Sequence, residues 1–288
     1  MAKKAEPKFK ITETSSGRLV DGVFKIFVEQ RLDKVTLPKS FDGVLVIPQE
    51  VTQIGRYACK GMKQIKEVIL PDNLVYFGFE AFADCENLEK ITFPATLLYL
   101  AGSCFANCTS LAELYIPATL SFRAMDLYDL PAYTKIIIDE AHPDYKIEDG
   151  AILSKDGTIF KLLRDDDVED YEVKEGVKVI EEGAFNGRKN LKKVTLPTSI
   201  VEVESAFSGC PNLTTIVIKS EADVNVRTAF DGCISPKEAG IFSSPTILKA
   251  IYVPAKKIGY YKNKEHIWEE FLHDLIVELP EEKKAKKK

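Results

Sequence analysis

The sequence predicts an α/β solenoid, with parallel strands on one face and short helical turns between them. The first observation is a period, because Pro48, Pro71, Pro94 and Pro117 each lie 23 residues apart. The second is that the residues 3, 6 and 17 positions after the first three prolines are apolar. The third is an apolar residue at every second position just before the last three prolines. One such unit cannot bury its apolar face alone, so the units must stack around a continuous core.

Each period supplies one strand with a buried face. The inward residues are spaced two apart, as in a half-buried strand: Val68/Leu70, Ile91/Phe93 and Leu114/Ile116. The proline that follows each strand ends its pairing. A small residue followed by a large one recurs at offsets 10 and 11, as in Ala81-Phe82 and Cys104-Phe105. This recurrence suits neighbouring turns that pack in register.

The period returns in the second half of the chain. Counted from Lys174 it places Ala184-Phe185 at the same offsets, and a copy shortened by one residue starts at Pro197. A degenerate copy contains Ala229-Phe230. At least six turns are therefore predicted. Four phenylalanines are expected in their core: Phe82, Phe105, Phe185 and Phe207.

These repeats carry a family resemblance. The run AFADCENLEKITFPATLLYLAGSCFANCTSLAELYIPATL resembles the BspA-type leucine-rich repeats of bacterial and some protozoan proteins. HPDYKIEDGAILSKDGTIF is similar to the hairpin that interrupts such arrays, and IYVPAKKIGYYKNKEHIWEEF to their closing segment. The resemblance implies a leucine-rich repeat solenoid. It also implies surface attachment or adhesion, since some relatives bind host matrix proteins.

The repeat blocks suggest an organisation for the whole chain, with a cap at each end of the array. We expect a disordered tail (1–10), an N-terminal cap hairpin (11–43), a first repeat block (44–120), an irregular central insertion (121–170), a second repeat block (171–254), a C-terminal cap (255–280) and a basic tail (281–288). The cap hairpin is predicted to pair residues 23–28 with 34–37. A cap is needed because an open sheet edge would template pairing with other chains.

Strands are also predicted in the central insertion and at the C-terminal end. Alternation and turn residues indicate central strands over 135–139, 151–154 and 158–162. Aromatic and apolar residues at helical spacing indicate a helix within 258–271, and residues 276–279 are expected to form a last strand. The insertion is expected to divide the two repeat blocks without making an independent domain.

The charge pattern argues against nucleic-acid binding. The chain has 39 basic and 44 acidic residues, but residues 1–10 and 281–288 hold nine of the lysines and three of the glutamates. The body, with 30 basic and 41 acidic residues, is acidic and would repel a polyanion. The chain has no apolar run long enough to span a bilayer and no signal peptide as written. It is therefore expected to be cytoplasmic as written, or at the cell surface or secreted if a leader has been removed.

The six cysteines are too few for a disulfide scaffold in a chain of this length. Cys85, Cys108, Cys210 and Cys233 share one repeat position, so they are expected to form a buried ladder in which each thiol meets a neighbouring carbonyl. A ladder does not converge on the tetrahedron that zinc requires. A reactive thiol at Cys59, which replaces the usual phenylalanine, stays an alternative.

No catalytic constellation is visible. His142, His266 and His273 are scattered, and the chain has no nucleophile elbow, phosphate loop or zinc-protease motif. The acidic run at 165–170 lacks the ligand order, the central glycine and the closing glutamate of a calcium loop, so a solvated loop is expected. We predict that the protein is not an enzyme and has no cofactor and no metal site.

The solvent side of the strands is the remaining candidate site. Residues that alternate with the buried ones point outward, and solenoids use such surfaces for binding. The predicted partner-binding residues are Glu67, Ile69, Lys90, Thr92, Glu113, Tyr115, Lys193, Thr195, Thr215, Val217 and Tyr252. Tyr115 and Tyr252 are the preferred anchors, because a rigid amphipathic ring supplies contact area at low entropic cost.

Two functions of different classes are consistent with the sequence. The first is a non-enzymatic module that binds a protein or glycan partner through the strand face, in the setting of surface adhesion. The second is an intracellular scaffold or structural repeat protein, which the absence of a signal peptide and the free cysteines favour. In both cases we expect a monomer with no nucleic-acid partner and no transmembrane segment.

Overall fold

The structure is a computed structural model that describes residues 6–20, 23–41, 43–127, 129–131, 133–165, 167–226, 229, 248–263 and 270–280. The chain divides into two compact units, which we call unit 1 (residues 1–147) and unit 2 (residues 148–288). Each is described by itself. None of the helices in the described ranges is long and apolar enough to cross a membrane.

Unit 1 begins with a long antiparallel hairpin. Its strands are β1 (Lys8–Val20) and β2 (Val23–Thr36), which pair along almost their whole length. The prediction that residues 23–28 pair with residues 34–37 in a hairpin is therefore wrong. Residues 23–28 and 34–36 both belong to one strand, β2. Residues 8–10 lie in β1 and not in a disordered tail. The remainder of unit 1 starts where Leu32 of β2 pairs with Ile54.

Each repeat of unit 1 contributes to two rows of parallel strands. The first row contains β3 (Val44–Val46), β5 (Glu67–Ile69), β7 (Lys90–Ile91), β9 (Glu113–Ile116) and β10 (Lys135–Ile138). The second row contains β4 (Gln53–Ile54), β6 (Tyr76–Phe77) and β8 (Tyr99–Leu100). β3, β5 and β7 form one sheet, β9 and β10 another, and β4, β6 and β8 extend the hairpin sheet. The alternation predicted before each proline therefore yields the first row.

The segments between the strand rows are tight turns with few helices. Tyr57, Glu80 and Ser103, which share one repeat position, all have a left-handed backbone. A left-handed residue breaks a helix after a single turn and lets the chain double back. In the described residues the helices are α1 (Ala124–Leu127), a 3₁₀ turn (Ala255–Lys257), α2 (Ile258–Tyr261) and α3 (Glu270–His273). The parallel-strand solenoid fold is confirmed, and hydrogen-bonded turns supply most of its connections.

Phenylalanines stack through the core of unit 1. Phe82 and Phe105 are buried with their rings parallel and 6.0 Å apart, and Phe77 contacts both. The one-period spacing of Phe82 and Phe105 places them above one another in adjacent turns. The predicted core positions of these two residues are confirmed.

Unit 2 repeats the same plan with two sheets. One sheet includes β12 (Ala151–Ser154), β13 (Ile159–Leu163), β15 (Val179–Ile180) and β17 (Glu202–Val203). The other is formed by β14 (Asp170–Glu172), β16 (Lys193–Leu196), β18 (Thr215–Ile218), β19 (Ala250–Val253) and β20 (Ile276–Glu278). The strand β11 (Tyr145–Glu148) spans the boundary between the units. The predicted central strands and the last strand are confirmed to within one residue.

The core of unit 2 is a second aromatic stack. Phe185 lies parallel to Phe160 at 5.0 Å and to Phe207 at 5.4 Å, and all three are buried. The predicted core positions of Phe185 and Phe207 are therefore confirmed. Near the C-terminal end Tyr261 of α2 is also buried. Of the predicted helix over 258–271, residues 264–269 lie outside the described residues, and α2 and α3 form its two ends.

Candidate binding face

The first strand row of unit 1 presents two outward rows of side chains, which together we call the strand face. The register aligns Val44 with Glu67 and Lys90, and Val46 with Ile69. It also aligns Glu113 with Lys135, and Tyr115 with Ile137. Lys90 and Thr92 lie one 23-residue period before Glu113 and Tyr115, so the period joins the rows of the two sheets. The charged row is then Val44, Glu67, Lys90, Glu113 and Lys135, and the apolar row is Val46, Ile69, Thr92, Tyr115 and Ile137.

Ion pairs between neighbouring residues of the charged row neutralise its charges. Lys90 Nζ lies 2.7 Å from Glu67 Oε1, and Lys135 Nζ lies 3.6 Å from Glu113 Oε1. Both lysines are well exposed, so each pair contributes at most about 1 kcal/mol to stability. The alternation of sign along the row leaves no strong net field on this part of the surface.

The apolar row is exposed to solvent except at Ile137, which is half-buried. Ile69 is 45% exposed and Tyr115 is 41% exposed, and Val46 and Thr92 are also exposed. Large apolar side chains that lie next to one another on a soluble protein mark interaction surfaces, whereas isolated ones do not. The row is therefore a candidate contact surface, and it contains the predicted residues Ile69, Thr92 and Tyr115.

A shallow depression of about 390 Å³ opens in the strand face between β5 and β7. Its walls include Ile69 and Thr92 from the apolar row and Glu67 and Lys90 from the charged row. A side chain of a partner could enter it and contact both rows at once. Glu67, half-buried under its ion pair, forms one wall and is the least accessible of these four.

Tyr115 is held in place on the strand face. Its hydroxyl donates a hydrogen bond of 2.5 Å to Asp139 Oδ2. This hydrogen bond raises the pKa of Tyr115, because it stabilises the protonated phenol that donates it. The ring is therefore oriented before any partner arrives, which reduces the entropy lost on binding.

The predicted face residues of unit 2 are less accessible. Thr195 is 8% exposed and Val217 is 6% exposed, so the expectation that they point freely into solvent is wrong. Both lie in the outward row of their sheet, aligned with Glu172 and with Tyr252. Lys219 Nζ contacts Glu172 Oε1 at 2.6 Å. Because β16 lies between β14 and β18, this ion pair spans β16, the strand that carries the short Thr195 side chain.

The other predicted residues of unit 2 are partly covered. Lys193, Thr215 and Tyr252 are half-buried. The register brings Lys193 and Thr215 side by side, and it places Tyr252 next to Val217. Tyr252 therefore presents less of its ring than Tyr115, and the predicted anchors are not equivalent.

The second strand row of unit 1 carries a surface that the sequence prediction missed. Tyr76 and Tyr99 pair in register on β6 and β8, and Tyr99 is 56% exposed. A signal was present, because both tyrosines lie five residues after a periodic proline and one residue before a buried apolar residue. The strands of this row are only two residues long, so they show no alternation of apolar and polar residues from which a strand could be predicted.

Comparison with known families decides the class of the repeats. The profile of the BspA type leucine rich repeat region matches residues 25–129 and 161–254, in six copies. The chain belongs to this family. The resemblance predicted from the sequence is confirmed. No curated protein matches the BspA-type chain in sequence.

Several solved structures are similar to this BspA-type protein. A leucine-rich repeat protein from Eubacterium ventriosum is 17% identical with a TM-score of 0.47, over 87% of this chain and 86% of that one. The pneumococcal vaccine antigen PcpA is 17% identical with a TM-score of 0.44, over 83% and 79%. A leucine rich cell surface protein from Faecalibacterium prausnitzii is 18% identical with a TM-score of 0.41, over 87% and 89%.

The BspA-type period also explains the cysteines. The thiol of Cys85 donates to the Cys59 carbonyl and that of Cys108 to the Phe82 carbonyl, each at 3.2 Å. Cys210 donates likewise to the Phe185 carbonyl at 3.0 Å. The predicted ladder is confirmed for these three, and Cys233 lies outside the described residues. In the part of the chain that the structure describes, no three His, Cys, Asp or Glu residues are grouped to hold a metal ion.

The five cysteines of the described ranges are expected to be inert in the folded protein. All are buried, and burial raises the pKa of Cys85 to about 12 and also raises that of Cys59. In a Cys233→Ser background at pH 8, we expect no reaction with 5,5′-dithiobis(2-nitrobenzoate) until guanidinium chloride unfolds the chain. Rapid labelling of Cys59 in the folded protein would instead support the reactive-thiol alternative.

The histidines serve the fold where they are described. His142 is buried, with Nε2 3.0 Å from the Leu120 carbonyl, and its Nδ1 accepts the backbone N–H groups of Asp144 and Tyr145. Both ring nitrogens are thus used to fix a turn. His273 lies in α3, and His266 lies outside the described residues.

Residues of the acidic run at 165–170 also make contacts within the fold. Asp165 Oδ1 accepts the backbone N–H of Asp167, and Glu169 forms an exposed ion pair with Lys192 at 2.7 Å. Asp170 begins β14, and Asp166 lies outside the described residues. The solvated-loop interpretation applies up to Glu169, since Asp170 is part of a strand.

Proposed function

We propose that the protein is a non-enzymatic binding module that holds a protein partner on the strand face of unit 1. The observation that carries the proposal is the exposed apolar row, in which Val46 and Ile69 lie on one sheet and Tyr115 lies on the next sheet of the first strand row. Water contact with this row is unfavourable, and a partner that covered it would recover that free energy.

The arrangement of the two rows favours a protein over a polyanion. An apolar centre beside compensated charges is typical of protein interfaces, in which the rim is polar and accessible. The internal pairs Glu67–Lys90 and Glu113–Lys135 leave little net charge to attract a highly charged polymer. Tyr115, oriented by Asp139, supplies the kind of ring that dominates binding energy at such centres.

The setting that we propose is attachment at a cell surface. The resemblance of the repeats to BspA-type proteins supports this setting, because some relatives bind host matrix proteins. A surface-exposed partner protein, such as a component of an extracellular matrix, is then the ligand class to test first. Fold alone does not specify function, so the strand face must be tested directly.

Truncation of Tyr115 is expected to weaken partner binding about tenfold or more, since a central tyrosine anchor contributes at least that much at many interfaces. Fibronectin, laminin and collagen, each deglycosylated and immobilised on a biosensor, are the first probes. Tyr115→Ala tests the ring, and Tyr115→Phe keeps the ring while removing the hydrogen bond to Asp139.

Tyr99→Ala is the matched control, because it removes an exposed tyrosine from the second strand row. We expect the control and Tyr115→Phe to keep most of the affinity. Equal dissociation constants for the wild type and Tyr115→Ala would exclude the strand face around Tyr115 as the binding surface.

A further inference from the structure

A groove of about 590 Å³ lies on the second strand row of unit 1, away from the outward rows of the strand face. We call it the tyrosine groove, and its principal lining residues are Tyr76, Phe79, Tyr99, Phe122, Arg123 and Asp126. Its volume is within the range of roughly 300–1,000 Å³ that small-molecule sites occupy. Most of its lining is aromatic or small and apolar, with one basic and one acidic side chain.

The aromatic side of the tyrosine groove is a shelf built by the sheet register. Tyr76 and Tyr99 are register partners on parallel strands, which lie about 4.8 Å apart, so their side chains leave the sheet next to each other. Tyr99 exposes more than half of its surface, and Tyr76 is half-buried beside it. The shelf is therefore accessible along two neighbouring repeats.

Neighbouring side chains pack against Phe79, another aromatic residue of the groove. Phe79 is contacted edge-on by Tyr57, with ring centroids 6.0 Å apart, and the Arg56 guanidinium lies 4.9 Å from the Phe79 ring centre. These contacts restrict Phe79 before a ligand arrives. Less conformational entropy is then lost on binding than for a free side chain.

The polar side of the groove is a self-compensated pair. Arg123 donates its backbone N–H to Asp126 Oδ2 at 2.7 Å, and its Nη2 lies 3.3 Å from Asp126 Oδ1. Asp126 is only 6% exposed, whereas the Arg123 side chain is largely exposed. A guanidinium has five N–H donors and a carboxylate has about four acceptor sites, so the pair retains the capacity to donate and to accept.

We propose that the tyrosine groove binds a neutral saccharide. A sugar ring has a C–H face, which packs favourably on aromatic rings, and hydroxyl groups, which both donate and accept hydrogen bonds. The groove matches both features, with the tyrosine shelf for the C–H face and the Arg123–Asp126 pair for the hydroxyls. This site does not depend on partner binding at the strand face.

The charges of the groove decide among the possible ligands. Arg123 and Asp126 cancel each other, so this pair gives neither an anionic nor a cationic polymer a net electrostatic attraction. A wholly apolar ligand would remove water from the ion pair without replacing its hydrogen bonds, which is costly. A neutral polar ligand with apolar faces avoids both costs.

The test uses the whole chain and defined probes. An array would present neutral oligosaccharides of glucose, galactose, mannose and N-acetylglucosamine, with sialylated and sulfated oligosaccharides as charged arms and a proline-rich peptide as a non-sugar arm. The wild type is expected to bind at least one neutral oligosaccharide. Binding of only the charged sugars, of only the peptide, or of no probe would overturn the proposal.

Variants then locate the site by isothermal titration calorimetry with the neutral oligosaccharide that binds. We expect Tyr99→Ala to weaken its affinity about tenfold, because the shelf loses its most exposed ring, and Tyr99→Phe to keep most of it. Tyr115→Ala, on the strand face, should leave saccharide affinity unchanged. Unchanged affinity in Tyr99→Ala, with wild-type melting behaviour, would contradict the assignment of the site.

Discussion

Replacing Phe82 by Ala is expected to lower the free energy of unfolding by about 3–5 kcal/mol. Phe82 is fully buried, stacks on Phe105 and contacts Phe77 from the same turn. Truncation removes buried apolar surface and leaves a cavity between adjacent repeats that the backbone ladder holds open. A repeat protein transmits such a loss to both neighbours of the altered turn.

The measurement is guanidinium chloride unfolding followed by circular dichroism, with hydrogen exchange to assign the loss to unit 1. Tyr99→Ala is the control, because it truncates an aromatic ring that is largely exposed, and it should cost less than about 1 kcal/mol. If Phe82→Ala also cost less than about 1 kcal/mol, the repeat register that puts Phe82 in the core would be wrong.

Gly78→Ala is expected to cost about 1–3 kcal/mol, because the added methyl group has no space between adjacent turns. Its Cβ would lie 2.6 Å from the Arg56 backbone nitrogen and 2.7 Å from the Gly55 carbonyl carbon. Both are backbone atoms and cannot rotate away. The Gly78 N–H also donates to the Ile54 carbonyl at 2.8 Å, so relief of the clash would open the ladder between β4 and β6.

The control for Gly78→Ala is the same substitution at Gly259 in α2, where an added Cβ meets no atom within 4 Å outside its chain neighbours and the backbone of its own helix. Alanine is a better helix former than glycine by about 1 kcal/mol, so Gly259→Ala should be neutral or stabilising. Thermal unfolding of both variants gives the comparison. An unchanged melting temperature for Gly78→Ala would mean that adjacent turns of the second strand row pack less closely than the structure shows.

The repeat core was predictable because its residues recur at fixed distances along the chain. Stacked turns impose one environment on each offset, so Phe82, Phe105 and Phe185 repeat the same role in the sequence. The outward residues of unit 1, including Ile69 and Tyr115, followed from the same offsets. The outward direction of these side chains follows from alternation along a strand, which is a local property.

Other features depend on contacts between distant parts of the chain and were missed. β1 is rich in lysine, serine and threonine, so its sequence shows no buried face, and its pairing with β2 defines it. Thr195 alternates as an outward residue should, but it is buried, and an ion pair between Glu172 and Lys219 spans its strand. These two partners are 47 residues apart, and nothing local to Thr195 indicates them.

The most direct test of strand-face binding is a quantitative pull-down with the wild type and Ile69→Asp, which places a charge in the apolar row. Each immobilised chain would be exposed to deglycosylated fibronectin, laminin and collagen and, separately, to cytosolic extract of the source cell, with Tyr99→Ala as the control. The account predicts a matrix protein that the wild type and Tyr99→Ala retain and Ile69→Asp loses. Retention of every captured protein by Ile69→Asp would contradict the strand face as the binding surface, and capture of cytosolic proteins alone would contradict the role in adhesion.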